Sequence, residues 1–330
     1  MTRWIFGMLF GMLLFLIIMF GQLMVHTDDS KEIPKSNTNA DKHVQLIIQN
    51  TDEYFWTFFK EGAGDAGKES EVYVEFVTAP QNDAKAIAEA VEKGIYAKVD
   101  GIALKPADTF WTQEIIEDAG EQGIPVVTYE NYSYNITNAA RIGSNSYSIG
   151  TMAGNMAVEA ANGKSNVAVI INDPGEEGDV LYKNLIIQGI LESFSKYSTM
   201  NLKDIYTLKQ DTFETEKVAT NIIENIGDVD LIICLDERST PGVAQVLVDN
   251  NKVGDIRIVG YGIMPQTLDY IERGVIYGTV SPNAYEIGYY TVMQLVKQME
   301  GEQISDYKST ELYMINSENV DEYSTLIEEK

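Results

Sequence analysis

Two adjacent aromatic residues, Phe55 and Trp56, could bind the flat face of a ring-shaped ligand. Flat aromatic side chains pack well against the apolar faces of a pyranose or a similar ring. Acids and amides farther along the chain can accept hydrogen bonds from hydroxyl groups, and the amides can also donate them. These polar candidates are Glu130, Asn131, Asn184 and Asp236. The combination predicts a site for a small polar ligand, with ordinary core packing as the alternative role of the aromatics.

The aromatic pair lies where an apolar strand is predicted to lead into a helix. Residues 44–48 form an apolar run of the length of a buried strand. Residues 50–52, Asn-Thr-Asp, then supply helix-capping side chains. From Phe55 onward, apolar residues recur at spacings of three and four, which predicts a helix with one apolar face. Because open α/β sheets bind ligands at the carboxyl ends of their strands, we expect the aromatic pair beside a ligand cleft.

The glycines of this helix match the pattern G-x-G-x-x-G over residues 62–67. A dinucleotide-binding fingerprint needs these glycines in the turn directly after the strand. Here they come later, within or at the end of the predicted helix. We interpret them as close packing of that helix on the sheet, with Gly67 ending the helix.

Strands alternate with helices through the rest of the chain, which predicts βαβ units and parallel sheets. Two such series, separated by an irregular loop over residues 130–138, predict two α/β lobes. The further predicted strands span residues 72–77, 99–104, 124–129, 166–171, 203–208, 229–235, 256–261 and 276–280, and helices are predicted over 83–96 and 112–122.

The composition excludes several classes of function. The 330 residues carry a formal net charge of −26, which argues against nucleic acid or an anionic membrane surface as a partner. The single cysteine, Cys234, rules out an intramolecular disulfide and is expected to be a buried thiol. Both histidines, His26 and His43, are assigned to an N-terminal tether. A folded part without histidine has no His-based triad and no His-ligated metal, so we expect neither a metal nor a cofactor.

Two absent patterns exclude further classes. The acidic loop at residues 172–179 lacks the D-x-[DN]-x-[DN]-G spacing of a calcium loop and is interpreted as solvated acid. A hydrolase on an α/β scaffold would carry a G-x-S-x-G nucleophile elbow, which this sequence lacks.

The N-terminus predicts a membrane anchor. Residues 4–25 are apolar and uncharged, and as a helix they would be about 33 Å long, enough to span a bilayer. A cleaved signal peptide is the alternative, although no clear A-x-A site follows, and no cysteine directly follows that could carry a lipid. We therefore expect an anchor over residues 1–25 and a flexible tether over 26–42. Arg3 before the run places the remainder outside the cytoplasm, whereas a cytoplasmic repressor would begin with a helix-turn-helix.

Four groups of residues follow one another in a recognisable order. They are Phe55-Trp56 with Gly62-Ala63; residues 99–102 (Val-Asp-Gly-Ile) with Pro106 and residues 123–127 (Gly-Ile-Pro-Val-Val); residues 142–145 (Ile-Gly-Ser-Asn) with Gly150, Ala153 and Gly154; and residues 258–261 (Ile-Val-Gly-Tyr) with residues 278–280 (Gly-Thr-Val) and Gly288. Through these groups the chain, from about residue 44 to residue 318, resembles the sugar-type periplasmic binding proteins, the ribose-binding branch of the type I solute-binding fold.

The resemblance implies two Rossmann-like lobes with parallel sheets, joined by a three-strand hinge and preceded here by one transmembrane helix. The hinge crossings are implied near residues 143–145, 281–283 and 311–312. Lobe 1 would comprise residues 43–143 and 283–310, and lobe 2 residues 144–282 and 311–330. Both lobes would hold a ligand in the cleft between them.

The resemblance also assigns roles to single positions. Phe55 and Trp56 match the aromatics that stack on a sugar ring, and Glu130 matches an acid that binds sugar hydroxyls. Asp108 matches a polar residue at the cleft edge, and Phe213 matches an aromatic residue of the second lobe.

Other positions depart from the family pattern. Asn131 and Asn184 stand where arginines are common, and a leucine replaces the asparagine that usually precedes the acid at Asp236. Asn283 lies beside a proline that replaces a glutamine. The site therefore has fewer charged groups than the family pattern, which favours a neutral ligand because a buried unpaired charge is unfavourable. A ribose-like ligand is not implied.

Together these patterns predict a binding protein that performs no chemistry. We expect it to bind a small polar ligand, a neutral sugar, and to report it to a membrane histidine kinase. The alternative is delivery of the ligand to an ABC permease. The tether favours the kinase slightly, because a sensor needs to meet only one fixed neighbour.

Overall fold

The computed structural model describes residues 40–49, 54–80, 83–106, 109–130, 136–172, 180–208, 212–225 and 228–328. The predicted anchor and nearly all of the predicted tether lie outside the described residues. Of the helices in these ranges, none combines the length and the apolar character needed to cross a bilayer.

The described strands form two six-stranded sheets. They are β1 (Lys42–Gln49), β2 (Val72–Ala79), β3 (Gly101–Leu104), β4 (Val126–Tyr129), β5 (Ala140–Gly143), β6 (Lys164–Asn172), β7 (Thr199–Leu208), β8 (Leu231–Cys234), β9 (Arg257–Tyr261), β10 (Gly278–Pro282), β11 (Tyr307–Ser309) and β12 (Leu312–Asn316). Sheet 1 has the order β2-β1-β3-β4-β5-β11, with all neighbours parallel. Sheet 2 has the order β7-β6-β8-β9-β10-β12, and in it only the pairing of β10 with β12 is antiparallel.

Helices connect the strands and cover the sheets. They are α1 (Tyr54–Glu69), α2 (Ala84–Ala97), α3 (Thr109–Glu121), α4 (Ser146–Ala160), α5 (Val180–Phe194), α6 (Thr212–Asn225), α7 (Ser239–Asp249), α8 (Pro265–Glu272), α9 (Ala284–Met299) and α10 (Val320–Glu328). The prediction of an α/β protein with parallel sheets in two lobes is confirmed.

Strand β1 illustrates why these residues form central parallel strands. Leu46 packs into the core that contains Phe59 of α1, and Ile47 packs into the opposite core, which contains Ile87 of α2. Because helices cover both faces, successive side chains from Val44 to Gln49 are all buried, and most of them are apolar.

The chain passes between the two sheets three times. It leaves β5 of sheet 1 for α4, which packs on sheet 2, and it leaves β10 of sheet 2 for α9, which packs on sheet 1. The third passage runs from β11 to β12. Backbone hydrogen bonds join the third passage to the other two. Asn283 N donates to Glu311 O at 3.1 Å, and Thr310 N donates to Gly143 O at 3.1 Å.

The glycines of α1 lie inside the helix, as expected for close packing and not for a dinucleotide turn. A Cβ atom on Gly62 would lie 2.0 Å from the carbonyl oxygen of Tyr285, so α9 approaches α1 at this point. A Cβ on Gly67 would meet Val74 of β2 at 2.6 Å. Two details of the prediction are wrong: Gly62 packs on a helix rather than on the sheet, and α1 continues past Gly67 to Glu69.

The assignment of His43 to the tether is also wrong, because β1 already begins at Lys42 and pairs there with Val72 of β2. The Nε2 atom of His43 lies 2.9 Å from a carboxylate oxygen of Glu75 on β2. The expectation for Cys234 is confirmed: the thiol is fully buried in β8, and this burial raises its pKa.

Candidate functional site

The carboxyl ends of β3 and β4 bring a cation and an anion together. Lys105 directly follows β3 and Glu130 directly follows β4, and the Lys105 Nζ atom lies 3.0 Å from Glu130 Oε2. The two side chains are 20% and 11% exposed. Glu130 has a φ of 46°, in the left-handed region that residues with a side chain seldom adopt. Its backbone N–H donates to the Ile142 carbonyl, and this bond, with the ion pair, holds the strained residue in place.

The second lobe contributes an acid at the corresponding edge of sheet 2. Asp236 lies one residue beyond the Leu235 that follows β8, and it is half-buried. One carboxylate oxygen accepts from the backbone N–H of Ser239 at 2.7 Å, which caps the first turn of α7. The other accepts from the side-chain amide of Asn172, at the end of β6. Asp236 therefore has a structural role in addition to its predicted role in ligand binding.

Tyr261 shows that the two edges meet. It is the last residue of β9 in sheet 2, and burial raises its pKa. Tyr182 and then the carboxylates of Glu130, Glu237 and Asp236 raise that pKa further. Because Glu130 belongs to sheet 1 and Tyr261 to sheet 2, the carboxyl edges of the two sheets lie close enough for the Glu130 carboxylate to act electrostatically on Tyr261.

Four residues near this site were not predicted from the sequence as site residues: Lys105, Tyr182, Tyr261 and Glu237. Lys105 and Tyr261 had a usable signal, since each stands at the carboxyl end of a predicted strand, where ligands bind in this class of sheet.

Phe55 and Trp56 are buried in the first turn of α1 and form an aromatic cluster at the carboxyl edge of sheet 1. The Trp56 ring packs edge-on against Phe55, Phe59 and Tyr129, with centroid distances of 5.0, 5.5 and 6.1 Å. Tyr129 in turn donates from its hydroxyl to the Ile47 carbonyl at 2.5 Å. This burial is what core packing predicts, and the stacking of a ligand on the two rings stays a prediction.

The remaining predicted site residues do not form one group in the structure. Asn283 is buried and caps α9, because its side-chain oxygen accepts from Glu286 N at 3.0 Å, so its amide oxygen is already engaged. Asn184 is exposed on α5. Phe213 belongs to α6, but its side chain lies outside the described residues, as do Asp108 and Asn131. Of the nine predicted residues, Glu130 and Asp236 thus lie close enough to Tyr261 to raise its pKa, and Phe55 and Trp56 lie in the aromatic cluster, where Trp56 contacts Tyr129.

Residues 44–303 match the family model described as a periplasmic binding protein domain. The D-allose-binding periplasmic protein of Escherichia coli strain K12 is 23% identical over 284 residues, which cover 82% of this chain and 89% of that protein.

Solved structures share the fold. The sugar-binding protein of a sugar ABC transporter from Bacillus halodurans has a TM-score of 0.78 at 23% identity, covering 86% of this chain and 100% of that one. A chain of the XylFII–LytSN complex has a TM-score of 0.71 at 22% identity, covering 84% and 98% of the two chains.

Proposed function

Because the chain belongs to the periplasmic binding protein family, we propose that it is an extracytoplasmic receptor that binds a small neutral sugar between its two lobes. Binding makes and breaks no covalent bond. Occupancy of the cleft is reported to a membrane histidine kinase. The second candidate is the substrate-binding component of a sugar ABC transporter.

The observation that carries the sugar proposal is the ion pair of Lys105 and Glu130 beside Tyr261 of the other lobe. The pair has no net charge, so a neutral ligand can enter without leaving a half-buried ion unpaired. The Glu130 carboxylate can accept several hydrogen bonds, so it can bind hydroxyl groups beside the Lys105 ammonium. The names of the similar proteins, one binding D-allose and one a sugar-binding protein, support the ligand class.

A ligand that contacts Glu130 and Tyr261 together would hold the two lobes closed. Its effect on the open and closed populations is limited to the difference between its affinities for the two states. The closed shape is the signal that a partner protein reads.

The anchor and tether favour the sensor role. Residues 1–25 would hold the protein in the membrane by its own helix, with the binding domain outside the cytoplasm. A flexible tether over residues 26–42 has a root-mean-square span of roughly 20–25 Å, which keeps the domain close to one membrane partner. The XylFII–LytSN complex, which contains a chain of this fold, supports a protein partner. The Bacillus halodurans relative supports the transporter alternative.

A thermal-shift screen of the detergent-solubilised full chain tests the ligand class. The probes are D-allose, D-glucose, D-galactose, D-arabinose and myo-inositol, with D-glucuronate and D-glucosamine as charged counterparts. A sugar at 100 times its Kd should stabilise the folded protein by about 2.7 kcal/mol. Stabilisation by the charged counterparts alone would contradict a neutral ligand.

Deletion of the gene separates the two roles. A sensor is needed for sugar-induced transcription but not for uptake by permeases expressed from a constitutive promoter. We therefore expect induction to be lost and uptake to persist. Lost uptake with normal induction would assign the protein to the transporter.

A further inference from the structure

The indole N–H of Trp56 is a buried donor without an acceptor. The side chain is 3% exposed, and no described residue accepts a hydrogen bond from its Nε1 atom. Such a group costs free energy in the folded state, because water satisfied it in the unfolded chain. Buried indole N–H groups usually find a partner, so an unsatisfied one needs an explanation.

The neighbours of Trp56 explain why the protein does not satisfy this donor. Its described ring contacts are Phe55, Phe59 and Tyr129. The two phenylalanines have no polar side-chain atom, and the hydroxyl of Tyr129 is directed to the Ile47 carbonyl. The aromatic cluster thus fixes the indole without offering it an oxygen.

The position of Trp56 indicates where an acceptor could come from. It is the third residue of α1 and stands at the carboxyl edge of sheet 1. Tyr129, which it contacts, directly precedes Glu130, and the Glu130 carboxylate acts electrostatically on Tyr261 of the other lobe. Trp56 therefore packs on the strand end that carries a cleft carboxylate.

We propose that Trp56 donates a hydrogen bond from Nε1–H to a hydroxyl oxygen of the bound sugar. This inference rests on the proposed function and adds a specificity determinant to it. As a stacking platform alone, the ring would accept any apolar sugar face. As a donor, it selects sugars that carry a hydroxyl group at one position, and it penalises the deoxy sugar that lacks this group.

The test replaces the N–H without changing the shape of the ring. Trp56 is exchanged for 3-benzothienylalanine, in which sulfur stands in place of N–H, in the full chain solubilised in detergent. Calorimetry measures the Kd of each panel sugar that binds, and of its monodeoxy derivatives. The same exchange at Trp111, which is 53% exposed on α3, is the matched control.

We expect the exchange at position 56 to raise the Kd of the parent sugar about five- to tenfold, the range of one hydrogen bond. For one monodeoxy sugar the exchange should leave Kd unchanged, because the accepting oxygen is already absent. The ligand-free protein should melt at the same or a higher temperature, since the donor has no partner there to lose. The control at Trp111 should leave the Kd of every sugar unchanged.

Three results would overturn the inference while leaving the proposed function in place. They are an unchanged Kd for every sugar, an equal loss for all deoxy sugars, and a destabilised ligand-free protein with unchanged Kd, which would mean that the N–H is satisfied within the protein. If no panel sugar binds the unmodified chain, the proposed function falls together with the inference.

Discussion

Replacing Lys105 with methionine should destabilise the protein, because it leaves the Glu130 carboxylate half-buried without its cation. The side chains of Lys105 and Glu130 are 20% and 11% exposed, so this ion pair is intermediate between a surface pair and a fully buried pair. Losing a surface pair costs about 0–1 kcal/mol, and removing one partner of a buried pair costs about 3–5 kcal/mol. We therefore expect Lys105→Met to lower the free energy of unfolding by about 2 kcal/mol. For a chain of this size, this corresponds to a fall in Tm of about 3 °C.

The matched control is Lys203→Met. Lys203 and Asp228 are closer together, at 2.7 Å, but their side chains are 38% and 57% exposed. Solvent screening should make the loss of this pair negligible in the same assay. Comparing the two variants, Lys105→Met and Lys203→Met, thus separates the effect of burial from the effect of the distance between the charges.

Urea denaturation of the ligand-free proteins, followed by circular dichroism, measures both changes. The double variant Lys105→Met with Glu130→Gln should regain part of the loss, because it removes the uncompensated charge. An effect of Lys105→Met no larger than that of Lys203→Met would refute the view that the cleft holds a desolvated ion pair.

Three other predictions follow from packing, burial and the N-terminus. Gly62→Ala should destabilise the protein by several kcal/mol, because the new Cβ would lie 2.0 Å from the Tyr285 carbonyl oxygen. Gly64→Ala in the same helix should stabilise the protein by about 0.4–1 kcal/mol, because its new Cβ would have no atom within 4 Å. Urea midpoints compare the two, and equal effects would contradict the close helix contact. Cys234 should resist a thiol reagent at pH 8 until the chain unfolds, since burial raises its pKa and blocks access, and rapid labelling of the native protein would be the opposite result. Mass spectrometry of the membrane fraction should find the peptide of residues 4–25 intact, whereas a mature N-terminus near residue 26 in the medium would indicate a cleaved signal peptide.

The fold could be predicted because parallel strands buried on both faces leave a strong signal in sequence. The apolar run of β1 and the alternation of strands and helices were enough for the two-lobed class. The short strands β11 and β12 were not anticipated as strands. Each pairs through few residues with a strand distant in sequence, so their local pattern carries little information. The boundaries proposed for the two lobes stay predictions.

The site was harder to predict, because one residue type can serve structure as well as ligand. Asn283 was chosen as a ligand amide, yet an asparagine at the start of a helix is also a good cap, and its oxygen is used that way. Asp236 likewise caps α7. The role of Lys105 could not be predicted from its own position, because a single cation after a strand indicates an ion pair only once its partner is known. That partner, Glu130, follows the neighbouring strand.

The topology also bears on how a tethered receptor could signal. The described chain enters sheet 1 at Lys42, the amino end of β1, where Lys42 Nζ lies 3.7 Å from Glu300 at the end of α9. The cleft groups Lys105 and Glu130 stand at the opposite, carboxyl edge of the same sheet. A flexible tether that joins the protein at this amino edge would leave the cleft accessible. Closure on a ligand would then appear as movement of lobe 2 relative to lobe 1. A partner that contacts lobe 2 could read that movement without touching the sugar.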